Sequence, residues 1–148
     1  MKTYFVDSFT NQKFKGNPAA VCLAETDLDN ATMQNIATEI GFSETAFIKK
    51  IQESNYSIRF FTPKMEISLC GHATLAASKI IFDTIKPENI TFINCGGIEL
   101  KIEKFNDKIV MEFPVYETIE FDVSTAVLKA IGIDNTINIR FCEDRKIV

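Results

Sequence analysis

Hydrophobic and polar positions alternate along several short stretches of the chain, a pattern typical of strands with one buried face. Turn-forming residues separate these stretches, and Asn106-Asp107 suits a tight turn between two of them. The predicted strands are Lys2–Phe9, Ala19–Ala24, a strand entered from a loop within Phe42–Lys50, Tyr56–Phe61, Thr91–Asn94, Ile98–Phe105, Lys108–Phe113, Thr136–Cys142 and, after a turn, a strand beginning at Ile147–Val148.

One segment changes to helical spacing and is predicted to be an amphipathic helix, Asp29–Ile40. Asp29 is the candidate N-cap, because its carboxylate can accept from the free N–H groups of a first turn. Leu28 and Met33 occupy the two positions of a hydrophobic staple. Gly41 supplies the left-handed residue that ends the helix.

A second helix is predicted from about His72 to Asp83, and it is apolar on nearly every side. Between Ala73 and Phe82 only Lys79 is charged. A helix that is apolar all round is buried all round. Two arrangements bury it in this way: a curved sheet wrapped around the helix, or a helix packed on one flat face of a sheet.

The order of these elements indicates an α+β fold. Strands outnumber helices and do not alternate with them regularly, so we expect a mixed or mostly antiparallel sheet. Pro114 is the predicted boundary between a first domain, residues 1–114, and residues 115–148, where Ser124 precedes a short helix that Gly132 stops. Segments below about 40 residues seldom fold alone. We therefore expect this tail to pack on the first domain, to pair with another chain, or to be the incomplete start of a second domain.

Composition limits the partners. The chain has 148 residues and a net charge of −4, and it lacks the basic stripe of a nucleic-acid-binding protein. No apolar run approaches the roughly 18 residues of a membrane span. The N-terminus alternates apolar and polar residues without a signal-peptide core. We expect a cytoplasmic protein without nucleic-acid or membrane partners.

The four cysteines, Cys22, Cys70, Cys95 and Cys142, are scattered and form no CxxC pair. With a single histidine in the chain, this spacing argues against a zinc site, and we expect no bound metal. A disulfide framework is not expected without an export signal. Most of these thiols are expected to fill the core.

The single histidine, His72, lies in the first turn of the apolar helix, directly after Gly71. The free N–H groups of a helix start attract anions such as carboxylates. The helix dipole disfavours an imidazolium there, so a neutral imidazole with one hydrogen bond to offer is expected. Alternatively, His72 only caps the helix or bonds a neighbouring carbonyl.

Glu44 is the second candidate for chemistry. It stands between Phe42 and Phe47, where a loop enters a strand. Apolar neighbours disfavour the charged carboxylate and suit it to general acid or base catalysis. Alternatively, Glu44 is a surface residue or an acceptor for backbone N–H groups.

Five motifs occur together in one order, and they resemble the N-terminal half of the PhzF-like phenazine biosynthesis family. The motifs are GNPAAV at Gly16–Val21, the helix segment MQNIATEIG, SETAF at Ser43–Phe47, IRFFTP at Ile58–Pro63 and CGHATLAA at Cys70–Ala77. The resemblance implies the diaminopimelate-epimerase-like fold. In that fold two similar domains each wrap a sheet around a central helix, and the active site lies between them. It therefore favours the wrapped arrangement.

The resemblance also implies a chemistry, the cofactor-independent isomerisation of a cyclic hydroxy-amino acid by proton transfer. Glu44 matches the proton-shuttling glutamate of the family, and His72 faces the substrate with it. A small carboxylate-bearing substrate and no cofactor are thus expected. The substrate-binding positions implied by the match are Asn17, Cys70, Gly71 and Ala73.

The chain also departs from the family pattern. Relatives of this type are about twice as long, and their second half supplies an Asp and a Gly-Ser motif that do not occur here. In related epimerases a cysteine at the position of Cys70 is one of two catalytic thiols, and the second thiol would also come from that half. The expected function is an isomerase or epimerase completed by another chain or by a homodimer partner. The alternatives are a truncated binding or dimerising module without activity, and a fragment of a longer gene product.

Overall fold

The computed structural model describes residues 1–143. It divides into two compact units, Met1–Phe113 and Pro114–Val148. The helices are α1 (Asn30–Ile40), α2 (Gly71–Thr84) and α3 (Thr125–Ala130). The strands are β1 (Lys2–Ser8), β2 (Asn17–Ala24), β3 (Thr45–Gln52), β4 (Asn55–Phe61), β5 (Glu66–Ile67), β6 (Asn89–Ile93), β7 (Glu99–Phe105), β8 (Lys108–Glu112), β9 (Ile119–Glu120) and β10 (Arg140–Phe141).

The first unit contains one mixed sheet in the order β1-β2-β3-β4-β6-β7-β8, with β5 paired to β4 beside β6. Two neighbouring pairs, β2 with β3 and β4 with β6, are parallel, and the other pairs are antiparallel. Helices α1 and α2 each connect one of the parallel pairs, because parallel neighbours need a crossover.

The sheet curls around α2. Strands from both ends of the sheet order, β1 and β8, contact this helix, as do β2 and β3. Ala73, Ala76 and Ala77 are fully buried in α2, and their small side chains let the surrounding strands come close. Large apolar side chains from the sheet, such as Phe60 and Phe92, complete the core around the helix. The prediction of a sheet wrapped around a central helix is confirmed.

The hydroxyl groups inside α2 are satisfied within the helix. Thr74 Oγ1 donates to the carbonyl of Cys70 at 2.6 Å, and Ser78 Oγ donates to the carbonyl of Thr74 at 2.7 Å. A buried hydroxyl without a partner would be costly. These internal bonds explain how a helix with two buried hydroxyl side chains can lie in an apolar core.

Helix α1 packs on the outer face of the sheet, as its amphipathic pattern predicts. Asp29 accepts from the backbone N–H of Thr32 at 2.8 Å, and Gly41 ends the helix with a φ of 71°. Met33 lies in a small outer cluster with Phe47 and Leu28 packs against that cluster. The caps and the staple therefore follow from local sequence alone.

The second unit is sparsely paired. The predicted strand at Thr136–Cys142 is wrong in extent, because strand β10 covers only Arg140–Phe141, which pair with Glu120 and Ile119. The short strands β5 and β9 were not predicted. The expected turn after Glu143 and the strand at Ile147–Val148 lie outside the described residues. Within residues 1–143, no helix is long and apolar enough to cross a membrane.

Candidate active site

The N-terminus of α2 is the first part of the site. Cys70 is the N-cap in an extended conformation (φ −147°, ψ 114°). Gly71 then opens the helix, and a Cβ added there would meet only Phe113 Cζ, at 4.0 Å. The absent side chain at Gly71 therefore leaves the backbone of the first turn approachable, with His72 beside it.

Glu44 is the second part of the site, and the sheet fixes its backbone. Its carbonyl accepts from the N–H of Ala20 at 3.2 Å, in line with the parallel pairing of Ala20 with Thr45. Glu44 thus immediately precedes β3, on which Ala46 and Ile48 belong to the core around α2. This placement directs a half-buried carboxylate toward the start of the helix.

The structure brings Glu44 and His72 together. Glu44 Oε2 and His72 Nε2 are 3.1 Å apart, and the side chains are 18% and 11% exposed. Both atoms are buried, and neither has a hydrogen-bond partner among residues 1–143. The distance is that of an ion pair, although no hydrogen bond of good geometry joins the two atoms. A small rotation of either side chain, or a third group, would complete the hydrogen bond.

Cys70 touches the other ring nitrogen. Its Sγ lies 3.3 Å from His72 Nδ1. Burial raises the pKa of the Cys70 thiol to about 11, the charge of Glu44 adds to this rise, and the N–H groups of Ala73 and His72 offset part of it. The thiol is therefore protonated at neutral pH. A thiol that donates to Nδ1 favours the imidazole tautomer with its proton on Nε2, facing Glu44.

Ligand atoms of Glu44, Cys70 and His72 all lie within 4.8 Å of one another. Sulfur, imidazole and carboxylate are donors that zinc accepts. Here, however, the sulfur faces Nδ1 while the carboxylate faces Nε2. The three groups do not converge on a single ion in this arrangement, which is better suited to moving a proton than to holding a metal.

Two polar residues that the sequence analysis did not single out hold this segment in place. Ser8 Oγ donates to the carbonyl of His72 at 2.7 Å. Asn94 Nδ2 donates to the carbonyl of Ser68 at 2.7 Å. Both are buried. Ser8 takes an inward position of β1, and Asn94 directly follows β6 and continues its inward alternation after Ile90 and Phe92. A polar residue at an inward position of a strand pattern is the sequence signal that would have identified Ser8 and Asn94.

The other predicted binding positions lie at varied depths. Asn17 is exposed and is the cross-strand partner of Ser8 at the start of β2. The side chain of Ala73 is fully buried in the core. Of the groups of Ala73, only the backbone N–H, in the first turn of α2, is therefore suited to contact a ligand. The binding roles of these residues stay predictions.

The first unit is a wrapped-sheet domain with a carboxylate, an imidazole and a thiol at the start of its central helix. Comparison with known proteins identifies the family to which the chain belongs. The model of the PhzC-PhzF family, phenazine biosynthesis-like protein, matches residues 6–143. The chain belongs to this family, and the resemblance found from its motifs is confirmed.

Relatives and solved structures agree with this assignment. A phenazine biosynthesis-like domain-containing protein of Mus musculus is 43% identical over 155 residues, which cover 97% of this chain and 54% of the relative. An uncharacterized isomerase of Halalkalibacterium halodurans is 50% identical over 114 residues, covering 75% of this chain and 42% of that protein. The crystal structure of a PhzF-family protein of Enterococcus faecalis superposes with a TM-score of 0.77 at 40% identity, covering 86% and 49% of the two chains. The chain thus spans about half the length of the curated relatives it matches.

Proposed function

We propose that this chain provides the proton-transferring half of an isomerase or epimerase acting on a small carboxylate-bearing substrate. The observation that carries the proposal is the contact of 3.1 Å between Glu44 Oε2 and His72 Nε2, with both atoms buried and lacking a hydrogen-bond partner among residues 1–143. Such unsatisfied groups are costly in a core and are kept where function uses them. The relative from Halalkalibacterium halodurans, named an isomerase, supports this class of reaction.

In the proposed reaction, Glu44 removes a proton from a carbon of the substrate. The electron pair of that C–H bond moves into the adjacent unsaturated group, and a proton is then returned to another carbon or to the other face. His72, with a proton on Nε2, donates a hydrogen bond that orients the carboxyl of Glu44 or the substrate. This use of a positioned acid-base group typically contributes 10²- to 10⁴-fold to a rate.

The start of α2 is proposed to bind the carboxylate of the substrate. The first intrahelical bond runs from Thr74 N–H to the carbonyl of Cys70, so the N–H groups of Gly71, His72 and Ala73 donate to no helix carbonyl, and those of His72 and Ala73 face the Cys70 thiol. Free N–H groups and the helix dipole favour an anion at this point. Orienting a carboxylate there would place its neighbouring carbon near Glu44.

The finer assignments are also part of the proposal. We place the reaction in a biosynthetic pathway and in the cytoplasm, and we take the substrate to be an amino acid or a cyclic hydroxy-amino acid. Because the pair can move the proton by itself, no cofactor is required. Because the chain spans half the length of its relatives, the remaining groups of the site are proposed to come from a second half, in another chain or in a homodimer partner.

A second candidate function is a binding or dimerising module without activity. The second unit favours it, because an apolar groove of about 540 Å³ lies on that unit, lined by residues such as Val127, Leu128 and Ile131. Helix α3 buries none of its residues. Sedimentation of the chain as a compact monomer would count against dimerisation.

The experiment for the proposed reaction follows hydrogen exchange in D₂O. Amino acids and cyclic hydroxy-amino acids are incubated with the full chain, alone and mixed with the separately produced C-terminal half of a longer relative. Proton NMR then records loss of the C–H signal. We expect exchange that falls 10²- to 10⁴-fold in Glu44→Gln and stays unchanged in the control Glu39→Gln, since Glu39 is exposed on α1. Equal rates for wild type and Glu44→Gln would remove Glu44 from the mechanism.

A further inference from the structure

A second cavity lies at the opposite end of α2, and the proposed reaction does not use it. Its volume is about 290 Å³, near the lower limit of roughly 300 Å³ for small-molecule pockets. Apolar side chains form most of its walls, and two lysines and one glutamate are among its lining residues. The residues that carry the argument are Lys2, Leu23, Ile48, Lys50, Tyr56 and Ile85.

Tyr56 contributes a buried hydroxyl beside this cavity. Its side chain is only 2% exposed, and its ring packs against Phe92 with centroids 6.1 Å apart. The hydroxyl is buried without a hydrogen-bond partner among residues 1–143. A buried hydroxyl is normally bonded, so a ligand acceptor in the cavity would satisfy a group that the described protein residues leave unsatisfied.

The two lysines lie on the same inner face of the sheet as Tyr56. Lys50 is the direct cross-strand partner of Tyr56, and Lys2 is the partner of Leu23, another cavity residue. Directly opposed residues point to one face, with their Cβ atoms about 5 Å apart. Among residues 1–143, neither lysine has a carboxylate within 4.0 Å, although other lysines of the chain do. The ammonium groups are therefore available to an anion.

We propose that this cavity binds a small organic carboxylate with an apolar body. The Lys50 ammonium and the Tyr56 hydroxyl together take the two carboxylate oxygens, because their cross-strand pairing brings them to one place. Lys2 adds positive charge from the edge strand β1, on the far side of β2. The apolar body of the ligand lies against Leu23, Ile48 and Ile85. This site is separate from the pair of Glu44 and His72 and is independent of the proposed reaction.

The test uses 4-fluorobenzoate as the probe and the full chain, with ¹⁹F NMR to follow binding. We expect saturable binding that weakens about tenfold in Lys50→Gln and in Tyr56→Phe, since each removes one hydrogen bond to a charged group. Lys104→Gln removes an exposed lysine of β7 and is the matched charge control, with no expected change. Thermal unfolding should show that Tyr56→Phe folds like the wild type, because it deletes only a hydroxyl without a partner.

The NMR signals of the single histidine distinguish binding at one site from binding at the other. Binding of the probe at the proposed cavity should leave the ring signals of His72 unchanged. Absence of saturable binding, or equal affinity in wild type, Lys50→Gln and Tyr56→Phe, would overturn the proposal. Saturable binding that moves the His72 signals and is unchanged in Lys50→Gln would overturn it as well, because it would place the probe at the other end of α2.

Discussion

The two ends of α2 lie in the same wrapped sheet but carry different chemistry. At the N-terminal end, a carboxylate and an imidazole lie 3.1 Å apart, with a thiol on the other ring nitrogen. At the C-terminal end, a buried phenol and two lysines surround a cavity of about 290 Å³. Both ends hold buried polar atoms without partners among residues 1–143. The first end holds a carboxylate in contact with an imidazole, so we assign reaction to it and binding to the second.

The apolar middle of the helix connects these ends, and damaging it should affect both. Phe60 is fully buried in the core around α2. We expect Phe60→Ala to lower the free energy of unfolding by about 3–5 kcal/mol, because it leaves a cavity. Urea denaturation measures this. Phe105→Ala is the control, since Phe105 is 67% exposed and its loss should change stability by about 0.5 kcal/mol or less. A similar loss of unfolding free energy in both variants would contradict the placement of Phe60 in this core.

Much of this scaffold could be predicted from local sequence. Asp29 and Gly41 mark the ends of α1 through short-range capping, and the apolar sequence of α2 shows that it is buried. By contrast, β5 is only two residues long and exists because β4 pairs with it. Pairing of this kind depends on distant residues, so no local pattern reveals it.

The same distinction applies to the site. Glu44 and His72 are far apart in sequence. Taken alone, each residue could equally have a structural role, such as capping a helix or accepting from backbone N–H groups. Their meeting depends on the pairing of β2 with β3 and on the placement of α2, so only the motif resemblance indicated it. Ser8 and Lys50 were missed because their roles depend on which face of a curled sheet they occupy.

Titration of Cys70 sharpens the comparison, since this thiol belongs to the N-terminal end alone. Its pKa is raised from 9.0 to about 11 by burial, so the unfolded chain releases this proton first. The contribution of this proton to the free energy of unfolding is therefore fully present below about pH 9 and is lost as the pH rises through 11. The loss is about 3 kcal/mol, at about 1.4 kcal/mol per unit.

Urea denaturation between pH 8.5 and 11 measures this loss by comparing wild type with Cys70→Ser, which has no thiol to titrate there. Cys95→Ser, at an exposed position, is the control for removal of a thiol. Parallel pH profiles for wild type and Cys70→Ser would show that burial does not hold the proton on Cys70.

A smaller effect is expected from Ser8, which holds the backbone of His72. Ser8→Ala removes the hydrogen bond to the carbonyl of His72. We expect a loss of about 1 kcal/mol in the free energy of unfolding, together with a shift of the His72 ring signals. The cavity at the other end should bind 4-fluorobenzoate as before. If Ser8→Ala altered binding there and left His72 unchanged, the two ends would not be separable.

The most direct test of the central claim, that Glu44 and His72 form one acid-base pair, uses NMR of the imidazole ring. The chain has one histidine, so its ring signals belong to His72 without assignment. We expect Glu44→Gln to shift these signals strongly, since the carboxylate lies 3.1 Å from Nε2, and Glu39→Gln and Tyr56→Phe to leave them in place. Ring signals that are the same in wild type and Glu44→Gln would contradict the pair.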